Sequence, residues 1–295
     1  MDKNKHKLYM AQILGLIFKD RELCNLLAFK DGTSLMFFHG LTRFSTDLDF
    51  NLLDNSKEQL AYDKIRNILT RFGTIDDEAM KTFGPVLVLN YGKGERMLKV
   101  EISNRTYDNH YETRTLAGTD IRIMTIPDMF AHKLCAMGER MSPRDVFDVW
   151  FFLQKHSEIN EHIVKSRTGK SVDEYARQCA EHVRNASPKL LMQGLGDVVD
   201  DAKTRKIIRD NLIEDTATAL ELFATFPLIA QQEPCLRTKL IESNPGFIEY
   251  LTLNNIDIST LDEKCIVSII RDGEQKSIKN KNGDTIVVCN NQKWH

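Results

Sequence analysis

The rhythm of apolar and polar positions divides the chain into a mixed first third, a helical middle and a strand-like tail. Residues 8–30 read as helix passing into a short apolar segment, Leu26 to Phe29. A small polar turn, Asp31-Gly32-Thr33-Ser34, leads into a short helix over about 34–40 with Leu35, Met36 and Phe38. "STDLDFNLL" alternates as a strand does: Asp47, Asp49 and Asn51 fall on one face, Leu48, Phe50 and Leu52 on the other. "SKEQLAYDKIRNILTRF" places Leu60, Ile65, Ile68 and Leu69 at helical spacing, with Ser56 as the expected N-cap. "GPVLVLNYGKGERMLKVEIS" reads as a hairpin with strands at about 86–91 and 96–103 around a "GKG" turn, and "DIRIMTI" as another short strand.

From Pro127 the spacing turns helical for about a hundred residues. "PDMFAHKLCAMGER" starts with proline at an early helical position, and "SPRDVFDVWFFLQKH" has Ser142 as N-cap and Pro143 at the first helical position. Further helices are expected near 172–184, 187–195, 202–225 and 236–242. The tail, "CIVSIIRDGEQKSIKNKNGDTIVVCN", returns to strand character with Asp-Gly and Asn-Gly turn signals. The pattern predicts an α+β chain in three parts. These are a core over 1–125 with a small mixed sheet, a helical domain over 126–260, and a short β-rich tail over 261–295.

Composition narrows the function classes. Apolar residues make up 42% and charged residues 28% of 295, enough for a true core. The net charge of −2 excludes a general nucleic-acid coat, so any such contact needs a local basic patch. Six cysteines lie scattered without a C-x-x-C pair, which points to free thiols rather than a zinc site or disulfide framework. The apolar stretch near the N-terminus is too short to span a bilayer, and the expected location is the cytoplasm.

The chemistry concentrates at Asp47 and Asp49. Side chains two apart on a strand share a face, and two ionised carboxylates held close repel. A divalent cation such as magnesium removes that cost and would hold substrate phosphates beside it. A solvent-facing polar strand is the plainer alternative. Before the pair, the Gly-Thr turn at a helix start offers N–H groups and a hydroxyl to a phosphate, and Arg43 adds a cation.

In this setting "FKDGTSLMFFHGLTRFSTDLDF" resembles the opening motif of the AbiEii/MenT-type nucleotidyltransferase toxins, a branch of the DNA polymerase β-like superfamily. That motif runs roughly G-G-T-x-L, a short helix, then R-x-S-x-D-x-D-F. Gly32, Thr33, Leu35, Arg43, Ser45, Asp47, Asp49 and Phe50 match it. Asp31 stands where the first glycine is usual, and a carboxylate beside a phosphate site would have to point away. The resemblance implies a third carboxylate on a later strand, matched by Glu101 in "LKVEIS"; a Lys99–Glu101 pattern on an exposed strand is the alternative. "HKLCAMGERMSPRDVFDVWFFL" resembles the family's later motif, K-L-x-A-x-x-x-R followed by R-D-x-x-D, through Lys133, Arg140, Arg144, Asp145 and Asp148. A solvated Lys133 and a helix-start charge at Asp145 are the alternatives there. The resemblance covers about residues 26–155.

What it implies is a polymerase β-like core and nucleotidyl transfer. Asp47, Asp49 and Glu101 would hold one or two magnesium ions. Gly32, Thr33 and Ser34, with Arg43 and Lys133, would take the phosphates of a nucleoside triphosphate. Asp145 and Asp148 would organise Lys133 from the helical side. The implied acceptor is a tRNA 3′ end, the consequence blocked translation, and the partner a cognate antitoxin. Arg177, Arg184, Lys189, Lys203, Arg205, Lys206 and Arg209 could track an RNA backbone or form a solvated helix face. Two other functions fit the same residues: modification of a small molecule or protein, and a non-catalytic nucleotide- or antitoxin-binding module.

Overall fold

The structure, a computed structural model, describes residues 2–187 and 211–230, two short strands at 276–279 and 285–288, and six isolated positions between 195 and 210. It begins with helix α1 (Lys3–Lys19) and a short α2 (Leu23–Leu26). In α1, Met10, Ile13, Leu14 and Ile17 repeat at helical spacing and are fully buried. Burying each such side chain contributes about 1.5–3 kcal/mol.

The chain then builds a seven-stranded mixed sheet in the order β3-β4-β5-β2-β1-β7-β6. Its strands are β1 (Leu27–Lys30), β2 (Asp47–Leu52), β3 (Thr74–Lys81), β4 (Gly84–Asn90), β5 (Leu98–Ser103), β6 (Tyr111–Leu116) and β7 (Thr119–Met124). β2 runs antiparallel to β1 and parallel to β5. Helix α3 (Asp31–Phe38) follows β1 directly, starting earlier than the spacing predicts, and α4 (Glu58–Leu69) follows β2. The expected cap Ser56 does not cap α4. It lies in a 3-10 turn that Asp54 caps by accepting from the Ser56 N–H, because the aspartate opens the turn one step earlier.

The predicted 86–103 hairpin forms as β4 and β5, and "DIRIMTI" forms β7. β3 and β6 are strands that the apolar pattern does not show. Both are sheet edges with mostly exposed side chains, so backbone pairing alone defines them. Leu48, Phe50 and Leu52 point into a core shared with α1 and α4, which leaves Asp47, Asp49 and Asn51 on the opposite face.

Helices α5 (Ile126–Arg140), α6 (Pro143–Gln154), α7 (Glu161–Thr168), α8 (Val172–Arg184) and α9 (Leu212–Thr225) enclose a second core around Phe130, Phe147 and Phe152. Ser142 stands at the α6 cap position without a side-chain capping bond. The unpredicted α7 is capped by Asn160, which accepts from the His162 N–H, and closes at Gly169 with φ +73°. Residues 1–230 form one compact unit and 231–295 another. In the second, β8 (Lys276–Lys279) pairs antiparallel with β9 (Thr285–Val288). The helix predicted near 236–242, and all but isolated positions of those predicted near 187–195 and over the first part of 202–225, lie outside the described residues.

Candidate active site

The site grows from register. On the parallel pair β2–β5, Asp47 lies opposite Lys99 and Asp49 opposite Glu101; across the antiparallel pair, Lys30 lies opposite Asp49. The two aspartates and Glu101 therefore share one face of adjacent strands. Burial, together with the Asp31 and Asp47 carboxylates, pushes Asp49 up to about 8. Such a crowded, under-neutralised carboxylate is a donor set that suits a hard divalent cation. Glu101 is turned toward Lys99, with Nζ to Oε2 at 2.8 Å, and both side chains stay about two-fifths exposed, 39% and 38%. Among the described residues, no three Asp, Glu, His or Cys side chains converge as a ligand group. Asp47 and Asp49 supply hard oxygen donors of the type a magnesium ion takes, whereas the Glu101 carboxylate is engaged by Lys99.

The turn before β2 is built tightly. Thr33 is fully buried and its hydroxyl donates to the Asp47 carbonyl at 2.5 Å, which ties the turn to the first carboxylate. Ser34 Oγ is buried and has no hydrogen-bond partner in the protein. An atom built at the Cβ position of Gly32 would stand 2.7 Å from Arg43 Nη2 and 2.9 Å from Ser45 Oγ, so only glycine fits under that guanidinium. Asp31, in the position where the resembling motif has glycine, adopts φ +67°, the left-handed region. Its carboxylate does not point away. It accepts the Gly32 N–H at 2.7 Å and forms an ion pair with Lys133.

Lys133, from α5, is a buried hub rather than a solvated lysine. Its ammonium pairs with Asp31, with Asp145 Oδ1 at 3.1 Å and with Asp148 Oδ2 at 3.0 Å. Burial works to lower its pKa, but Asp31, Asp148 and Asp145 win and hold it well above the usual lysine value. The Lys133 charge likewise overcomes burial at Asp31 and keeps that carboxyl well below the usual carboxylate range. Asp145 and Asp148, three apart on α6, are themselves buried. Asp148 receives a bidentate fork from Arg43, with Nε and Nη2 both at 2.6 Å, and Asp145 accepts from Arg140 Nε at 2.6 Å. Asp145 is therefore more than a helix-start charge. Arg43, almost fully buried, spends its fork on Asp148, and Arg144 Nη1 comes within 4.0 Å of Asp47 Oδ2.

Two residues escape a reading by motif. His6, from α1, is fully buried and its Nε2 donates to the Thr46 carbonyl at 2.9 Å, leaving Nδ1 to accept from Tyr91. It anchors the backbone immediately before Asp47. Lys30 is apparent only once β1 is placed beside β2; burial lowers its pKa against the pull of Asp31, Asp49 and Glu101. A cavity of about 380 Å³ opens beside the carboxylates, with Lys30, Asp31, Glu101 and Lys133 in its wall.

The basic residues of the helical part are less engaged with this site. Arg177 pairs with Asp173 at 2.9 Å and Arg184 with Glu221 at 2.8 Å, while Lys189, Lys203 and Arg209 lie outside the described residues. Cys135 and Cys179 are buried free thiols, each pushed up to about 12 by burial. No helix among the described residues is long and apolar enough to cross a membrane.

The family model described as nucleotidyl transferase AbiEii toxin, Type IV TA system, matches residues 12–226. The search of curated proteins finds no match. Similar solved structures include JHP933 of Helicobacter pylori, at 23% identity and TM-score 0.47, covering 85% of this chain and 97% of that one. Another is MenT4, a nucleotidyltransferase toxin of Mycobacterium tuberculosis, at 16% identity and TM-score 0.44, covering 76% and 87%.

Proposed function

Because the chain belongs to the AbiEii family of nucleotidyltransferase toxins, we propose that it transfers a nucleoside monophosphate from a nucleoside triphosphate to the 3′ hydroxyl of a tRNA and so blocks translation. The observation that carries the reading is the register of Asp49 opposite Glu101, with Asp47 on the same face and the Gly32–Thr33 turn tied to Asp47.

Asp47 and Asp49, with Glu101 as third ligand, would hold magnesium, which would supply positive charge to the phosphates. The chain's own residues do the rest. The start of α3 supplies backbone N–H groups for the triphosphate. Lys133 stabilises charge developing on the phosphates, and Asp145 and Asp148 hold it in place. The acceptor oxygen bonds to the α-phosphorus as the bond from the α-phosphorus to the bridging oxygen breaks, and pyrophosphate leaves. The hydroxyl proton passes to a carboxylate oxygen of Asp49 or Glu101. The protein partner is a cognate antitoxin that silences this activity.

Incubation with labelled nucleoside triphosphates, magnesium, total tRNA and lysate tests the reading. Label is expected on tRNA, and chelation of magnesium removes it. Label on protein alone would sink the tRNA acceptor. Removing an outer-shell partner of a metal site costs about 10–100-fold, so Asp49→Asn, at a direct ligand, is expected to cost more than about 100-fold. Growth inhibition that survives Asp49→Ala would overturn the enzymatic basis of toxicity.

A further inference from the structure

The cavity beside Glu101 has a wall that the transfer chemistry does not use. Phe83, in the turn between β3 and β4, is 53% exposed, and the Arg105 guanidinium lies 3.7 Å from its ring centroid. The two segments are tied by the Asn104 N–H, which donates to the Phe83 carbonyl at 3.1 Å. A second aromatic group lines the same cavity. Tyr107 meets His132 edge-on at 5.0 Å, and Arg167 lies 5.7 Å from the Tyr107 ring. Arg167 donates to His132 Nδ1 at 3.0 Å, so the ring proton sits on Nε2, which donates to Asn109 Oδ1 at 2.7 Å.

Rings paired with guanidinium groups are the surface that holds unpaired nucleobases, because every base has a face to stack and the cations take the backbone phosphates. The volume, about 380 Å³, falls within the range of small-ligand pockets. The cavity also lies on one side of the site. Its wall meets the turn only at Lys30 and Asp31 and includes Glu101 and Lys133, but none of Gly32, Thr33, Arg43 or Asp47. The far wall, at Phe83, Arg105 and Tyr107, lies outside the residues assigned to the triphosphate.

We propose that this cavity receives the unpaired terminal nucleoside of the nucleic-acid acceptor, with its base on the Phe83–Arg105 platform and its adjoining phosphate toward Lys81. The proposal rests on the nucleotidyl-transfer reading, which brings the terminal hydroxyl to the carboxylates. It assigns acceptor recognition to the β3–β4 turn and the segment after β5.

The test is a titration of the full chain with a 5′-fluorescein single-stranded oligoribonucleotide bearing a free 3′ hydroxyl, read by anisotropy without nucleotide or turnover. Stacking is worth about 1–3 kcal/mol per base, so F83A is expected to raise the oligonucleotide Kd about 5- to 150-fold, and F83Y to restore it. R105Q is expected to weaken binding in the same direction. Binding of labelled nucleoside triphosphates with magnesium is expected to stay unchanged in all three, and thermal melts confirm that these surface variants fold. Unchanged oligonucleotide binding in F83A and R105Q overturns the proposal, as does a wild type that binds no oligonucleotide. A loss confined to triphosphate binding also overturns it, because the cavity would then hold the incoming base. Failure of the transfer reading shows separately, as no pyrophosphate from wild type given magnesium, nucleoside triphosphates and total RNA.

Discussion

At the scale of single residues, the site is a chain of charges in which each neutralises the next. Arg43, Asp148, Lys133 and Asp31 alternate in sign, and the first three are almost fully buried. Removing one member strands its neighbours. Asp148→Ala leaves two buried cations without their carboxylate and is expected to cost about 3–5 kcal/mol in urea unfolding, before any effect on activity. Asp31 is the opposite case. Its carboxylate holds the ammonium that an incoming phosphate would otherwise find, in a backbone region that glycine enters more easily. Asp31→Gly is expected to lower the KM for nucleoside triphosphate by about 10-fold, the worth of one charge-assisted bond freed for substrate. An unchanged or higher KM would show that Asp31 helps to place Lys133. The sequence displays Asp47, Asp49 and the Gly32–Thr33 turn because their spacing is local. It cannot display the fork from Arg43 to Asp148, which joins positions 105 apart. His6 is equally silent, since a lone histidine on an amphipathic helix carries no pattern of its own.

At the scale of elements, the apolar rhythm reveals what is packed and misses what is merely paired. β2, β4 and β5 bury alternate or successive side chains and read clearly; β3 and β6 bury almost none. Helix contacts hinge on residues whose smallness has no visible cause in sequence. An atom built at the Cβ position of Gly138 on α5 would meet the Tyr175 hydroxyl of α8 at 2.2 Å, and Tyr175 donates to the Cys135 carbonyl at 3.2 Å. Gly138→Ala is therefore expected to cost about 1–3 kcal/mol in denaturant unfolding by forcing α8 away from α5. Gly84 opens β4 at φ +109°, where a Cβ would lie 2.0 Å from the Ile102 carbonyl oxygen of β5. Gly84→Ala is expected to loosen the β3–β4 turn that carries Phe83, visible as a lower thermal midpoint together with weaker oligonucleotide binding.

At the scale of the whole molecule, the order of the strands is the part that sequence hides most completely. Nothing local tells β1 to pair in parallel with β7 or β2 with β5, since those pairings depend on which helices cover which face. The fold also sets how the protein responds to acid. Burial, with Arg167 and Lys30 nearby, pushes His132 down to about 3, and burial lowers His6 and His39 as well. An unfolded imidazole takes up its proton below about 6.5, whereas native His132 does so only near 3. Between those values the unfolded state binds more protons, so stability falls as pH falls through that window. His132→Asn is expected to be less stable than wild type at about pH 7.5 and to close part of that gap at about pH 5, measured as urea midpoints.

β2 is the middle strand of seven, with β5 on one side and β1 on the other. Its amides are paired within the sheet, so their exchange with deuterated water should wait for the whole sheet to open, while the amides of β3 and β6 at the edges exchange early. Asp47 and Asp49 are thus borne by a strand expected to exchange slowly. Phe83 lies in the turn between the edge strand β3 and β4, and Tyr107 in the segment leading from β5 to the edge strand β6. Substitutions in those loops are expected to alter the proposed acceptor cavity while β2 and its aspartates keep their place.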